Sequence, residues 1–186
     1  MINGIEQDYY RISGRKLSTP PLPRIVALAK SYLHYDLFQY ILWFRIGHAL
    51  SVKNSKLLII ARLIHHRNCH KFGIQINLRE NIGGGIKIVH YGGIVIHCKA
   101  IGKNCTVFQN VTIGNSFSLK TFGVPTIGDN VTIFAGAKIL GNIKIGDNVV
   151  VAANAVVLHD VPDNCIVGGI PAKVISTNLN SIIKNI

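Results

Sequence analysis

Histidine and cysteine are the residues of this sequence that could bind a metal ion or act as nucleophiles. The four cysteines never form a C-x-x-C pair, which argues against a zinc ribbon or a thiol redox site. One metal-like cluster comprises His65, His66, Cys69 and His70. Two of these residues could share one helical face, but no second cluster completes a coordination sphere. We therefore predict no metal site and interpret the cluster as an ordinary helix end.

The composition indicates one folded domain with room for a small appendage. The chain has 186 residues, 48% of them hydrophobic and only 15% charged, so intrinsic disorder is excluded. The longest apolar stretch, Leu37 to Leu50, contains Gln39, Arg45 and His48 and falls short of a membrane span. The first residues lack the pattern of a signal peptide. We therefore predict a cytoplasmic protein whose cysteines are reduced.

The formal net charge of +12 is concentrated near the N-terminus. Residues 1–80 carry +8 of it, and residues 81–186 carry +4. No nucleic-acid-binding motif accompanies this charge, so we predict no nucleic-acid partner. An anionic membrane surface or a phosphate-bearing ligand is the better candidate. Trp43, Phe44 and Arg45 could form the interfacial face of a peripheral membrane helix, although simple helix packing is the favoured interpretation.

The sequence changes character near residue 75. Before it, the P-P-L-P run (20–23) predicts a turn or extended linker, and helices are predicted over about 24–50 and 55–67, with a break at 52–54. We assign residues 1–74 to an N-terminal helical segment, 75–175 to a repeat domain and 176–186 to a C-terminal tail.

Aliphatic residues recur along the repeat domain with a period of six. Ten of the twelve steps between them are six residues long, one is seven, and one is fourteen. Ile, Val and Leu make up about a third of the chain, so an unbroken series is not an accident of composition. The positions are Ile76, Ile82, Ile88, Ile94, Ile101, Val107, Ile113, Ile127, Ile133, Ile139, Ile145, Val151 and Val157.

A six-residue period is the signature of a hexapeptide β-helix rather than of an ordinary helix or alternating strand. Three hexads close one triangular coil, so the repeat predicts four to five coils. The aliphatic residue fills the interior, and small residues such as Cys98 and Cys105 fit near the corners instead of acting as nucleophiles. The fourteen-residue step marks a loop over 115–126 that is pushed out of the coils and is a candidate functional loop.

Three segments of the chain resemble the serine acetyltransferase branch of the hexapeptide-repeat acyltransferases, a branch that includes acetyltransferases of capsule and O-antigen gene clusters. The motifs are H-Y-G-G-I-V and V-F-Q-N-V-T-I-G within 83–114, G-A-K-I-L-G-N-I within 127–146, and G-G-I-P-A-K at 168–173. The resemblance implies a left-handed parallel β-helix, a homotrimer, acetyl-CoA as donor without a metal ion, and an active site between adjacent subunits.

His90 matches the catalytic histidine that this resemblance implies. Acetyl transfer to a hydroxyl group requires a base that accepts the hydroxyl proton, and histidine suits that role near neutral pH. His97 and His159 lack such a motif and are interpreted as surface residues. The family has an acid directly before its histidine, where this chain has Val89. We therefore expect a backbone carbonyl or another side chain to orient the His90 ring.

The acceptor is predicted from a second departure from the family pattern. An Arg-His-Pro run of the family's loop aligns here with Gly123, Val124 and Pro125, so charged groups that would recognise serine are missing. This favours a sugar hydroxyl of a surface-polysaccharide precursor as acceptor, with serine O-acetylation as the alternative. The lipid-linked form of such a precursor would place the protein at the inner face of the membrane. Candidate acceptor-binding residues are Asn115, Phe117, Lys120 and Phe122.

The resemblance also implies a donor site in which the pantetheine arm lies along a groove between coils and the phosphates meet basic side chains. The residues that match are Gly114, Ala135, Gly136, Lys138, Gly168 and Lys173.

Two further functional classes are considered. A carbonic-anhydrase-like site is disfavoured because His90 and His97 are seven residues apart, where one coil would be eighteen. A non-catalytic scaffold would leave the histidine motif unexplained.

Overall fold

Four helices precede the repeat region in the part of the chain that the structure describes. The computed structural model describes residues 2–17, 21–116 and 122–177. The helices are α1 (Ile2–Ser13), α2 (Pro21–His34), α3 (Asp36–Val52) and α4 (Leu58–Phe72). Helix α4 ends at Phe72 and is capped by Gly73, which adopts a left-handed conformation with φ of 62°. Glycine adopts that conformation without a Cβ clash, so the chain can turn there from helix into the first coil.

The helical segment differs from the sequence prediction in three places. Helix α1 was not predicted, and the helix expected over 24–50 is two helices separated at Tyr35, whose backbone is extended (φ −116°, ψ 103°). Asp36 begins α3, where its carboxylate interacts favourably with the helix dipole. The expected linker at 20–23 instead contains the start of α2 at Pro21, because proline is tolerated in the first turn of a helix.

Fourteen short strands follow in the described residues and wind into a left-handed parallel β-helix, as predicted. They are β1 (Ile74–Ile76), β2 (Lys87–Ile88), β3 (Ile94–Ile96), β4 (Ala100–Ile101), β5 (Thr106–Val107), β6 (Thr112–Gly114), β7 (Thr126–Ile127), β8 (Thr132–Ile133), β9 (Lys138–Leu140), β10 (Lys144–Ile145), β11 (Val150–Val151), β12 (Val156–Val157), β13 (Ile166–Gly169) and β14 (Ala172–Ser176).

The strands form three sheets, which are the faces of a triangular prism. Face A has the order β1-β3-β6-β9-β12, face B has β10-β7-β4, and face C has β14-β13-β11-β8-β5-β2. All pairs are parallel except β13–β14, which is antiparallel. A cis Ile170–Pro171 peptide bond lies in the turn of that hairpin.

The register of the strands confirms the six-residue repeat. Thr132 pairs with Val150, eighteen residues later, and this is the three-hexad coil. Thr106 pairs with Thr132 across twenty-six residues because the loop over 115–126 adds eight residues to one coil. All thirteen aliphatic repeat positions belong to the buried core. Cys98 and Cys105 are buried in the same core, as expected.

Asparagines form a ladder along the edge between faces B and C. Asn104, Asn130, Asn148 and Asn164 all have φ between 54° and 58°, a left-handed conformation that asparagine tolerates. Each amide Nδ2 donates to the Oδ1 of the next asparagine, at 2.9 to 3.1 Å. The ladder therefore links successive coils outside the aliphatic core.

The N-terminal helices are joined to the coils by buried polar contacts. Asp8 is fully buried and pairs with Arg45 on α3, with Nε to Oδ2 at 2.8 Å. Asp8 also accepts the backbone N–H groups of Gly85 and Ile86, and Arg45 donates to the carbonyls of Ile82 and Gly83. One carboxylate–guanidinium pair thus joins α1, α3 and the first coil.

The membrane-surface interpretation of α3 is wrong because two of the three residues assigned to the lipid-facing side are buried. Phe44 is 2% exposed and Arg45 is 8% exposed, so neither can meet a lipid headgroup. Trp43 Nε1 donates to the Tyr32 hydroxyl at 3.2 Å. The favoured interpretation, helix packing, is confirmed at these positions. None of the described helices is long and apolar enough to cross a bilayer.

Candidate active site

One edge of the prism, where the chain passes from face C to face A, carries a column of aligned residues. Backbone bonds set the alignment, for example from Val89 N–H to the Val107 carbonyl at 3.0 Å. Four steps of about 4.8 Å make the column roughly 19 Å long. We call it the C–A column, and its members are Val89, Phe108, Phe134, Ala152 and Gly168.

His90 lies at the N-terminal end of the C–A column, next to Val89. Its exposed ring meets the Phe108 ring edge-on, with centroids 6.2 Å apart, and Phe108 stacks on Phe134 at 4.9 Å. Within the described residues neither ring nitrogen of His90 has a hydrogen-bond partner. The expected group that would orient the ring is therefore not found in a single described chain, and general-base catalysis by His90 stays a prediction.

Two of the predicted donor-binding residues, Ala135 and Gly136, lie on the same edge. Gly136 N–H donates to the Gln109 carbonyl at 3.0 Å, and the Ala135 carbonyl accepts Asn154 N–H at 2.9 Å. Gly136 has φ of 76°, and a Cβ there would lie 2.0 Å from Asn154 Oδ1. The fold itself therefore requires glycine at 136, whatever else this residue does.

The two predicted lysines have different surroundings. Lys138 Nζ donates to the Asn110 carbonyl at 2.6 Å, so its ammonium group is held against the neighbouring coil. Lys173 is exposed on β14 and pairs directly with Gly168 of β13. The structure thus places Gly168 and Lys173 together at the end of the C–A column opposite His90.

Three of the remaining predicted residues, Gly114, Asn115 and Phe122, lie at the edge between faces A and B, where the loop leaves the coils. A Cβ on Gly114 would meet no atom within 4 Å, so its backbone borders open space. Asn115 Oδ1 accepts Gly123 N–H at 2.8 Å and closes the base of the loop. Phe122 is 66% exposed. Phe117 and Lys120 lie outside the described residues, and their predicted roles stay predictions.

Sequence reasoning missed an acid–histidine pair beside Gly114. Glu80 Oε1 lies 2.9 Å from His97 Nδ1, and Glu80 Oε2 accepts the backbone N–H of Cys98 at 3.1 Å. His97 had been interpreted as an ordinary surface residue. The signal that could have found the pair is its spacing, because residues about one coil apart in sequence stack on each other in the prism.

His97 and Glu80 line a cleft of about 1050 Å³ between α4 and face A. Its walls carry several basic side chains and the outward-facing residues of β1 and β3. The lining includes Arg62, His66, His70, Gln75, Arg79 and Val95. In the described residues no group of three or more His, Cys, Asp or Glu side chains could hold a metal ion.

The cysteines are poor nucleophiles in this fold. Burial raises the pKa of the Cys105 thiol to about 12. Burial, followed by the nearby Glu80 carboxylate, also raises the pKa of Cys98. The thiolate is the reactive form of cysteine, so neither residue supplies a nucleophile near neutral pH.

Comparison with known proteins identifies the relatives of this chain. Residues 125–159 match the family model of the bacterial transferase hexapeptide (six repeats). The chain is 42% identical to serine acetyltransferase of Synechococcus elongatus over 144 residues, covering 77% of this chain and 58% of that protein. It is 40% identical to serine acetyltransferase of Bacillus subtilis over 156 residues, covering 81% of this chain and 70% of that protein.

The fold has the same relatives. The crystal structure of Brucella abortus serine acetyltransferase in complex with coenzyme A superimposes with a TM-score of 0.76 at 28% identity, covering 94% of this chain and 67% of that one. The described helices and coils therefore match about two thirds of that serine acetyltransferase.

These relatives correct the predicted acceptor. The assignment to polysaccharide O-acetylation is wrong, since curated relatives at 38–43% identity are serine acetyltransferases. The assignment had assumed that charged groups for serine must come from the loop over 115–126, whereas folding brings charged side chains from distant positions into the cleft of His97. The chain belongs to the hexapeptide-repeat acyltransferase family, as a relative of the serine acetyltransferases.

Proposed function

We propose that the chain is an acetyl-CoA-dependent serine O-acetyltransferase. The observation that carries the proposal is the relatedness to the Bacillus subtilis enzyme, which covers four fifths of this chain and includes the coils around His90. The Brucella abortus relative, whose structure holds coenzyme A, supports an acetyl-CoA donor.

In the proposed reaction His90 is the general base. The serine hydroxyl loses its proton to His90 as its oxygen attacks the thioester carbonyl carbon. The new ester C–O bond forms, the C–S bond breaks, and the proton passes to the departing thiolate, so that coenzyme A leaves as a thiol. The exposed position of the imidazole beside the Phe108 ring suits this step, because an acceptor hydroxyl could approach a ring nitrogen from solvent.

The donor site is proposed along the C–A column and the neighbouring edge. The narrow arm of the donor would lie over Ala135 and Gly168, with backbone groups as its hydrogen-bond partners. Gly114 lies on the other edge of face A, where a Cβ would meet no atom within 4 Å, and it is proposed to border the donor from that side. Lys173, exposed and beside Gly168, is the proposed partner of a donor phosphate, and Lys138 is a second. The loop over 115–126 would border the acceptor.

The proposed assembly is a homotrimer with the active site between adjacent subunits. The ring of His90 supports this view, because it is exposed and has no hydrogen-bond partner in the described residues of one chain. A neighbouring subunit could supply the group that orients it. Sedimentation analysis of the full chain measures the assembly directly.

The function is tested by following thiol release from acetyl-CoA with serine and a panel of sugars as acceptors. Serine should be acetylated, and His90→Ala should lower its turnover by about 10²- to 10⁴-fold. His159→Ala, which changes an exposed histidine in a distant coil, is the control and should retain full activity. Acetylation of sugars alone would overturn the proposed acceptor, and His90→Ala activity within a few-fold of the parent would remove His90 from the mechanism.

A further inference from the structure

The Glu80–His97 pair has the geometry of a histidine held by a buried acid. The Glu80 side chain is 6% exposed, whereas the His97 side chain is 64% exposed. Both carboxylate oxygens of Glu80 are occupied, one by His97 Nδ1 and the other by the Cys98 backbone. Nδ1 therefore faces the acid, and the exposed Nε2 of His97 is left to contact a ligand.

The cleft around His97 is basic. Among its described lining residues Glu80 is the one acid, and that carboxylate is buried against its own partners. Arg62 and Arg79 are exposed on opposite walls, and in the described chain neither guanidinium has an acidic partner. The guanidinium groups of Arg62 and Arg79 are therefore available to donate hydrogen bonds to a ligand in this cleft. Such a surface favours a small anion, and a guanidinium fork suits a carboxylate in particular.

The cleft lies next to the proposed reaction site. The His97 N–H group donates to the Ile113 carbonyl at 2.8 Å, which places His97 directly beside Gly114 in the next coil. At the far end of α4 the Phe72 ring packs edge-on against Tyr91, the residue after His90, with centroids 5.5 Å apart. The cleft therefore borders face A between the edge that carries His90 and the edge that carries Gly114.

We propose that this cleft binds the carboxylate of the amino-acid acceptor, with His97 and Arg79 as its ligands and Glu80 as the positioning residue for His97. The inference rests on the proposed function, and it accounts for the missing charged groups in the loop. Serine carries a carboxylate that a sugar lacks, and the structure gathers basic groups for it from three separate parts of the chain.

The test compares serine with serinamide, which keeps the hydroxyl and amine but lacks the carboxylate. His97→Gln and Arg79→Gln should each raise the KM for serine by about 10- to 100-fold, the range expected for losing one charged hydrogen bond. The KM for serinamide and the kcat at saturating serine should stay within about threefold of the parent values. His159→Gln is the matched control and should change neither parameter.

Glu80→Gln tests the positioning role. Glutamine keeps the size of the side chain and can still accept the Cys98 N–H, but it removes the carboxylate that His97 Nδ1 faces. Its effect should have the same direction as that of His97→Gln and a smaller size. Circular dichroism checks that Glu80→Gln folds. If it does not fold, His97→Gln still tests the site, because that substitution changes an exposed side chain.

Other outcomes overturn the inference. A loss of kcat without a change in the KM for serine would make His97 part of the proton transfer instead, and equal changes for serine and serinamide would exclude carboxylate recognition.

Calorimetric titration separates this inference from the proposed function. If the parent transfers no acetyl group to serine, the function fails, whereas carboxylate-dependent binding of serine that His97→Gln abolishes would still support the site. Absence of that binding would overturn it.

Discussion

The β-helix and the helical segment that precedes it are held together in different ways. In the coils each strand contributes an aliphatic residue to one continuous core, and the same contacts recur from coil to coil. In the helical segment the decisive contacts occur once each. Asp8 pairs with Arg45, the Tyr40 hydroxyl donates to the Ile74 carbonyl, and His65 Nε2 bonds the Ile76 carbonyl.

The two kinds of packing predict that the two regions respond differently to substitutions. A solenoid distributes its stability over many similar nearest-neighbour contacts, but its interior is too narrow for a charged group. The helical segment depends on a few buried polar pairs, each of which leaves an unsatisfied group behind when one partner is removed. A charged substitution at any interior position of the coils should therefore prevent folding. The helical segment should be strongly destabilised only by substitutions in its buried polar pairs.

The largest effect is expected inside the coils. Ile133 is fully buried, so Ile133→Asp would bury a carboxylate that has no partner and should prevent folding. Thr132→Asp, one residue earlier on the outer surface of β8, is the control and should yield folded protein. Soluble yield and circular dichroism measure the outcome. A folded Ile133→Asp protein would contradict the assigned register.

A smaller effect is expected at the junction of α1, α3 and the first coil. Asp8→Asn leaves the Arg45 guanidinium buried without a counter-charge and should cost about 3–5 kcal/mol of unfolding free energy. The control is Glu6→Gln on the same helix, which breaks a partly exposed ion pair with Arg24 and should cost less than about 1 kcal/mol. Urea denaturation measures both, and equal costs would contradict the distinction.

The smallest effect is expected from mild acid. Burial lowers the pKa of His65 below its usual 6.5, and its Nδ1 is buried without a partner among the described residues. As the pH falls below about 6.5 the unfolded chain takes up a proton at this residue before the folded chain does, so the free energy of unfolding decreases. Urea denaturation at about pH 7.5 and pH 5.5 should show a larger decrease for the parent than for His65→Gln. Identical pH dependence in the two proteins would exclude this role of His65.

Much of the β-helix could be predicted because its six-residue repeat is local and recurs along the sequence. The helices were harder. Helix α3 is apolar on several sides, so its pattern hides the break at Tyr35. The Asp8–Arg45 pair joins residues thirty-seven positions apart, and no local pattern predicts it. Glu80 and His97 lie about one coil apart, a spacing that brings polar residues together in the prism as it does aliphatic ones.

The antiparallel strand β14 has a consequence for how the protein behaves at high concentration. A stack of parallel coils presents unpaired backbone groups at its last coil, and another chain could add to them as an edge-to-edge aggregate. Strand β14 pairs with β13 in the opposite direction, and its exposed Lys173 places a charge on that border. Growth of face C by further coils in the same register is thereby blocked. The hairpin thus covers the edge of β13 at which a parallel strand of another chain would otherwise pair on face C.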